Sequence, residues 1–222
     1  NFHLLGGAAY EQYRKDEFSA GAQSMITNDF FSFNYADLTT KTNSDNVQTW
    51  AIGSYFGRLN YNFKEKYLFE ANARYDNSSR LAPGRRSQIF PSFSAGWRIS
   101  EEPFLKNRFT WLDNLKLRAS WGQLGNSSAL TGYYNYIALL ASGTALDFND
   151  QKTLYLYQSK LPSSTLTWEV IQTENLGLDI NALHNRLSFT GDDYLKYNNN
   201  MLAHVQEPSI IGIETDLTNV GN

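Results

Sequence analysis

Residues 54–80 read SYFGRLNYNF, KEK, YLFEANARYDNSSR, and this stretch decides the fold. Along its first arm Tyr55, Leu59, Tyr61 and Phe63 alternate with Arg58, Asn60 and Asn62. After Lys64-Glu65-Lys66, Tyr67, Phe69, Ala71, Ala73 and Tyr75 alternate with Glu70, Asn72, Arg74 and Asp76. Successive side chains of a strand point to opposite faces, so the pattern predicts a hairpin with one apolar and one charged side. Long ionic side chains in mid-strand suit a wet interior better than a packed core. Apolar toward lipid and polar toward a lumen is the pattern of a transmembrane β-barrel wall.

The rest of the chain repeats it. Strands are predicted near 2–13, 50–63, 66–77, 88–100, 114–124, 168–182 and 186–198, with an eighth starting near Thr218. Apolar rows recur at Phe93, Ala95, Trp97, Ile99; at Leu115, Leu117, Ala119, Trp121; at Leu176, Leu178, Ile180; and at Leu187, Phe189. Opposite them stand Arg98, Lys116, Arg118, Asp179 and Asp192 among serines and asparagines. The connections near 14–49, 78–87, 125–167 and 199–217 are long and polar, and they alternate with shorter ones near 64–65, 101–113 and 183–185. Outer-membrane barrels have short turns on the periplasmic side and long loops outside. A soluble all-β binding or adhesion module would alternate equally well, although nothing in a sandwich requires that asymmetry. It stands as the alternative reading. Tyr61, Phe63, Tyr67 and Phe69 flank the short turn, with Tyr55 and Tyr75 a strand-length above. Rings so placed fit two interfacial belts, and fit ordinary cross-strand packing as well.

Composition narrows the classes. The 222 residues include 14 Tyr and 14 Phe, a bias toward strands. Mean hydropathy is −0.47, and no apolar run approaches the length of a membrane helix. A barrel escapes that test because only alternate residues meet lipid. A net charge of −3 gives no footprint for nucleic acid. With no cysteine there is neither a disulfide nor a thiolate metal site. The first residues, Asn1-Phe2-His3-Leu4-Leu5, read as strand rather than secretory signal, so the expectation is an interior piece of a longer protein.

Several stretches carry a resemblance. GGAAYEQY at 6–13, residues 54–86, FPSFSAGWRISEEPFL at 90–105, LDNLKLRASWGQLGN at 112–126, LTWEVIQTENLGLDINALHNRLSFTGDDYLK at 166–196 and TNVGN at 218–222 are similar, in order, to the C-terminal barrel region of the SusC/RagA family. Its members are TonB-dependent outer-membrane importers of Bacteroidota. Gly191-Asp192 departs from the pattern, where an apolar residue usually precedes Asp-Tyr-Tyr, and the loop at 127–165 matches nothing in it. The resemblance implies that residues 1–222 are about seven strands of a plugged barrel of about 22. The plug domain, signal peptide and TonB-interacting segment would lie outside this chain. It further implies a SusD-like surface lipoprotein as lid, the TonB complex as energy source, and an oligosaccharide or peptide as cargo. No enzyme activity and no cofactor are expected.

Two sets of residues are candidates for function. Arg58, Glu70, Asn72, Arg74, Asp76, Arg98, Lys116 and Arg118 form an inward ladder suited to cross-strand ion pairs, plug contacts or passing substrate. Tyr133, Tyr134, Tyr136, Tyr155 and Tyr157 enrich one long loop, where amphipathic rings suit sugar stacking, lid contact or simple loop packing. His3, His184 and His204 lack ligand spacing, so no metal site is expected. Asp147-Phe148-Asn149-Asp150 offers oxygen donors but lacks the glycine and terminal glutamate of an EF-hand loop. Asp192 and Asp193, adjacent on a strand, point apart and cannot flank one glycosidic bond.

Overall fold

The computed structural model describes residues 1–222 apart from positions 28, 30, 31, 107, 128, 129, 131, 149, 150, 206, 207, 209, 211, 216 and 222; at 144–148, 151–153 and 214–215 only the backbone is described. The oxygen-rich stretch at 147–150 therefore lies outside the described side chains.

One antiparallel sheet dominates. Its strands are β1 (Phe2–Gly21), β2 (Thr42–Phe63), β3 (Tyr67–Ser78), β4 (Ser87–Arg98), β5 (Leu112–Asn126), β9 (Glu169–Ala182) and β10 (Leu187–Asn199). They lie side by side in that order, which is also their order along the chain, with β1 and β10 outermost. Between β5 and β9 come a hairpin of β6 (Leu140–Phe148) and β7 (Gln151–Gln158), then the two-residue β8 (Lys160–Leu161). After β10, β11 (Met201–His204) pairs with β13 (Leu217–Val220), the predicted eighth strand, while β12 (Glu214–Thr215) pairs with β8.

The deciding hairpin forms as its alternation requires. Tyr55 faces Tyr75, Leu59 faces Ala71, Tyr61 faces Phe69, and Phe63 faces Tyr67 across the turn. Lys64 and Glu65 take positive φ, the geometry of a tight hairpin turn. The apolar row continues through Trp97 and Leu117 to Leu178. Among the described residues no second sheet covers it: Phe93 is 46% and Trp97 37% exposed. The short turns share one end, where Arg98 N–H donates to Lys66 C=O (2.8 Å) and Leu183 N–H to Trp111 C=O (2.7 Å).

Three expectations need correction. The predicted loop at 14–49 is largely ladder. β1 and β2 pair without interruption from Phe2↔Tyr61 to Gly21↔Thr42, leaving a cap of 3-10 turns at Phe33–Tyr35 and Leu38–Thr40. The loops at 125–167 and 199–217 contain β6 to β8 and β11 to β12. The supposedly short connection at 101–113 spans residues 99–111 and opens with a 3-10 turn at Ile99–Glu101. The β1–β2 extension is polar on both faces and β7 is apolar on both, as Leu154, Tyr155, Leu156 and Tyr157 show, so neither alternates enough to be read by period.

The described hydrophobic core lies at the long-loop end, where loop residues pack on the ends of β4 and β9. Leu81, Phe90, Leu130, Leu166, Trp168, Val170, Leu202 and Leu217 pack together there. Phe90 meets Trp168 edge to face at 5.5 Å, and the indole N–H donates to Arg86 C=O (2.9 Å). Gly125 is required beneath: a Cβ there would stand 2.3 Å from the Phe90 ring.

Candidate functional site

The charged face is a set of local networks. Arg58 Nε donates to Asn72 Oδ1 (2.8 Å), and Asn72 Nδ2 donates to Glu70 Oε1 (2.8 Å) and Ser92 Oγ (3.3 Å). Arg74 grips Asp76 (2.7 Å) and donates to Ser54 Oγ (3.0 Å). Arg118 links two strands, donating to Asp179 (2.8 Å) on β9 and reaching Asp192 (3.2 Å) on β10. Gly177 makes room for that bridge, because a Cβ would stand 2.8 Å from the guanidinium carbon. Opposite charges on neighbouring strands are each worth a fraction of a kcal/mol, so the ladder fixes register more than it adds stability. Arg98 departs from the set: it turns to the short-turn rim, near Glu65 (3.8 Å) and Glu101 (3.7 Å). Lys116 lies over Gly96 and lines a cavity of about 410 Å³ with His3, Asn60, Glu70 and Arg118.

The opposite face is apolar with acidic interruptions, and one of them, Glu174, stands opposite Trp121 and Leu195. Beyond Phe189 the outward positions of β10 are Gly191, Asp193 and Leu195, and Asp193 faces Leu176 across the ladder. Asp192 points the other way, toward Arg118, as adjacent strand residues must.

The five loop tyrosines divide into two groups. Tyr133 stacks on Tyr13 (6.3 Å), which stacks in turn on Trp50 (5.8 Å), and the Arg80 guanidinium lies 5.7 Å from the Tyr133 ring centre. The Tyr134 and Thr49 hydroxyls are 3.1 Å apart, and Arg86 Nη2 donates to the Tyr136 hydroxyl (3.1 Å). These three rings fasten the loop to the wall. Tyr155 and Tyr157 sit on β7, 5.5 Å apart, above Gly143 and Ala141 of β6. Both remain exposed, as do Leu140, Leu154 and Leu156 on the other face of that hairpin.

Sequence reasoning missed two features here. Arg80 donates to the carbonyls of Ser127, Leu130 and Gly132 and so ties down the start of the loop. Burial holds its pKa below the ordinary arginine value without removing its charge. A cavity of about 450 Å³ also opens between the loop and the β1–β2 extension, lined by Gln48, Tyr133, Tyr134, Asn135, Lys160 and His204. Asn135 is only 7% exposed, and its amide nitrogen has no partner among the described residues.

The family model for the TonB dependent receptor-like β-barrel matches residues 1–222. The chain belongs to that family. TonB-dependent receptor P26 of Formosa agariphila is 34% identical over 98% of this chain and 22% of its own length. TonB-dependent receptor SusC of Bacteroides thetaiotaomicron is 33% identical over 76% of this chain and 17% of its own. The structure of the RagAB peptide transporter superposes with a TM-score of 0.85, at 28% identity, over 99% of this chain and 24% of that one. The chain therefore spans less than a quarter of the relatives it matches. The seven-stranded sheet is a segment of a TonB-dependent receptor barrel wall, and its exposed apolar row is the lipid-facing side of that fold.

Proposed function

We propose that the chain is a wall segment of an importer in the bacterial outer membrane, working with a SusD-like surface lipoprotein and driven through TonB. The observation that carries this reading is the unpaired chemistry of the two faces. An apolar row lies uncovered on one side, and an ion-paired polar row lies on the other, within one open antiparallel sheet. A soluble sandwich would bury the first row under a second sheet. Plug and TonB-interacting parts belong, on this reading, to the rest of the parent protein.

The cargo is an oligosaccharide, with peptide as the second reading because one solved relative is a peptide transporter. Tyr155 and Tyr157, exposed on a projecting hairpin, are the residues for substrate or lid contact. Tyr133, Tyr134 and Tyr136 support them by fixing the loop. The ladder from Arg58 to Arg118 faces the plug. The test is uptake of labelled oligosaccharides and peptides by cells carrying the full-length protein, with and without TonB and with Tyr155→Ala/Tyr157→Ala. Uptake that depends on TonB and falls in the double variant is expected. Uptake indifferent to both would reject the reading.

A further inference from the structure

The connection at residues 99–111 is more elaborate than a barrel needs to reverse its chain. Its Glu102 is buried, and it accepts hydrogen bonds from Tyr67 Oη (2.7 Å), Trp97 Nε1 (3.2 Å) and Lys66 Nζ (3.3 Å). Tyr67 and Trp97 belong to the lipid-facing row, directly opposite one another. The carboxylate therefore grips the polar tips of two outward rings, and it draws the turn toward the membrane side of the wall.

What the turn then displays is apolar. Phe104, Phe109 and Trp111 are 58%, 42% and 52% exposed, and Phe109 meets Trp111 edge to face at 6.0 Å. Leu183 of the neighbouring turn is exposed beside them, held by its N–H to Trp111 C=O. Charges in the turn are nearly all satisfied internally. Lys106 pairs with Glu101 (2.8 Å), and Lys66 pairs with Glu102 (3.3 Å). Arg108 is left over, exposed and without an acidic partner among the described residues. Clustered rings with one free guanidinium, continuous with a lipid-facing wall, fit the headgroup zone. Amphipathic rings are enriched there, and a guanidinium matches the phosphate fork.

We propose that residues 99–106 and 108–111 form a lipid-binding foot in the leaflet at the short-turn end. Phe104, Phe109 and Trp111 lie in the interfacial zone, and Arg108 binds the phosphate of a glycerophospholipid headgroup. Glu102 is the positioning residue. The inference rests on the outer-membrane reading above, and the test separates the two.

The full-length protein, in vesicles of phosphatidylethanolamine and phosphatidylglycerol, carries single spin labels through Phe104→Cys, Phe109→Cys or Trp111→Cys, with Phe93→Cys and Lys64→Cys as references. Labels at 104, 109 and 111 should relax more with oxygen than with a water-soluble nickel complex, as at Phe93 and opposite to Lys64. If Phe93 behaves as lipid-facing but the three turn labels behave like Lys64, or are reached by neither reagent, the foot is wrong and the wall stands. If Phe93 also fails, the membrane reading falls first. Arg108→Gln should lower retained phosphatidylglycerol about fivefold, the weight of one cation at an anionic surface. The heat-modifiable folded band on a gel should be unchanged. Unaltered retention would remove the headgroup role.

Discussion

The wall and the cap of this molecule obey opposite rules. In the wall, Phe93, Ala95 and Trp97 stand uncovered and the polar side chains take the opposite face. In the cap, Leu166 is 1% exposed and Trp168 packs on Phe90, as in any water-soluble domain. One chain thus buries apolar surface in two solvents: the wall uses lipid as its partner, whereas the cap uses itself. The two regions should therefore fail separately and for different reasons.

The largest effect is expected when lipid and the remaining barrel are withheld. Residues 1–222 alone in water should aggregate or stay unfolded, because β1 and β10 leave open edges and the apolar row has no cover. Circular dichroism and sedimentation of the purified chain would check this, and a cooperative soluble monomer would erase the contrast. Within the parent protein, Leu166→Ala should cost about 2–5 kcal/mol, felt in the cap alone. Amide exchange should rise in residues 127–168 while the barrel still assembles. Loss of assembly would show that cap and wall form one cooperative unit.

Substitutions in the wall should track depth rather than packing. Phe93→Lys should cost about 2–4 kcal/mol in membrane-inserted stability, whereas Trp97→Lys, at the rim beside Glu102, should cost about 0–1. Equal costs would argue that the row does not cross the bilayer. Asp193, like Glu174 one step along the same face, is a carboxyl in the wall's apolar row, and it stands opposite Leu176. Asp193→Leu should stabilise the inserted barrel by about 1 kcal/mol, read from urea unfolding in vesicles. A loss instead would mean that something polar covers it.

The smallest expected effect concerns pH. Glu102 is held below the ordinary glutamate range by the Tyr67 hydroxyl first and the Trp97 indole next, with Lys66 adding to them. A carboxyl depressed in the folded state contributes stability above its unfolded pKa, and that contribution is lost as pH falls through the lower folded value. The 99–111 turn should hold at neutral pH and loosen only in acid, below the usual carboxyl range. Glu102→Gln should reduce that dependence to the part carried by Glu101, which is likewise held low by Lys106, as followed by amide exchange in the turn.

How much of this could be read from sequence follows the same division. The wall was legible because its two faces differ: Tyr55 to Phe63 against Arg58 to Asn62 fixes both period and register. The upper half of β1 and β2 was not, since Arg14 to Gly21 and Thr42 to Thr49 are polar on both faces and alternation vanishes. The cap was illegible for another reason. Leu81, Leu130, Leu166, Leu202 and Leu217 stand singly, and only long-range folding gathers them. The tyrosines were found as a composition, but their division was hidden. Tyr134 meets Thr49 across 85 residues and Tyr136 meets Arg86 across 50.

The uninterrupted β1–β2 ladder has a mechanical consequence. A membrane crossing takes about 9–11 strand residues, so the rungs from Arg14 to Gly21 stand clear of it by about 25 Å. Such a blade, stiffened by its backbone hydrogen bonds, is a lever. Its root carries Tyr13 and Trp50, stacked against Tyr133, so a sideways push at its tip arrives as a torque on the loop that holds Tyr133.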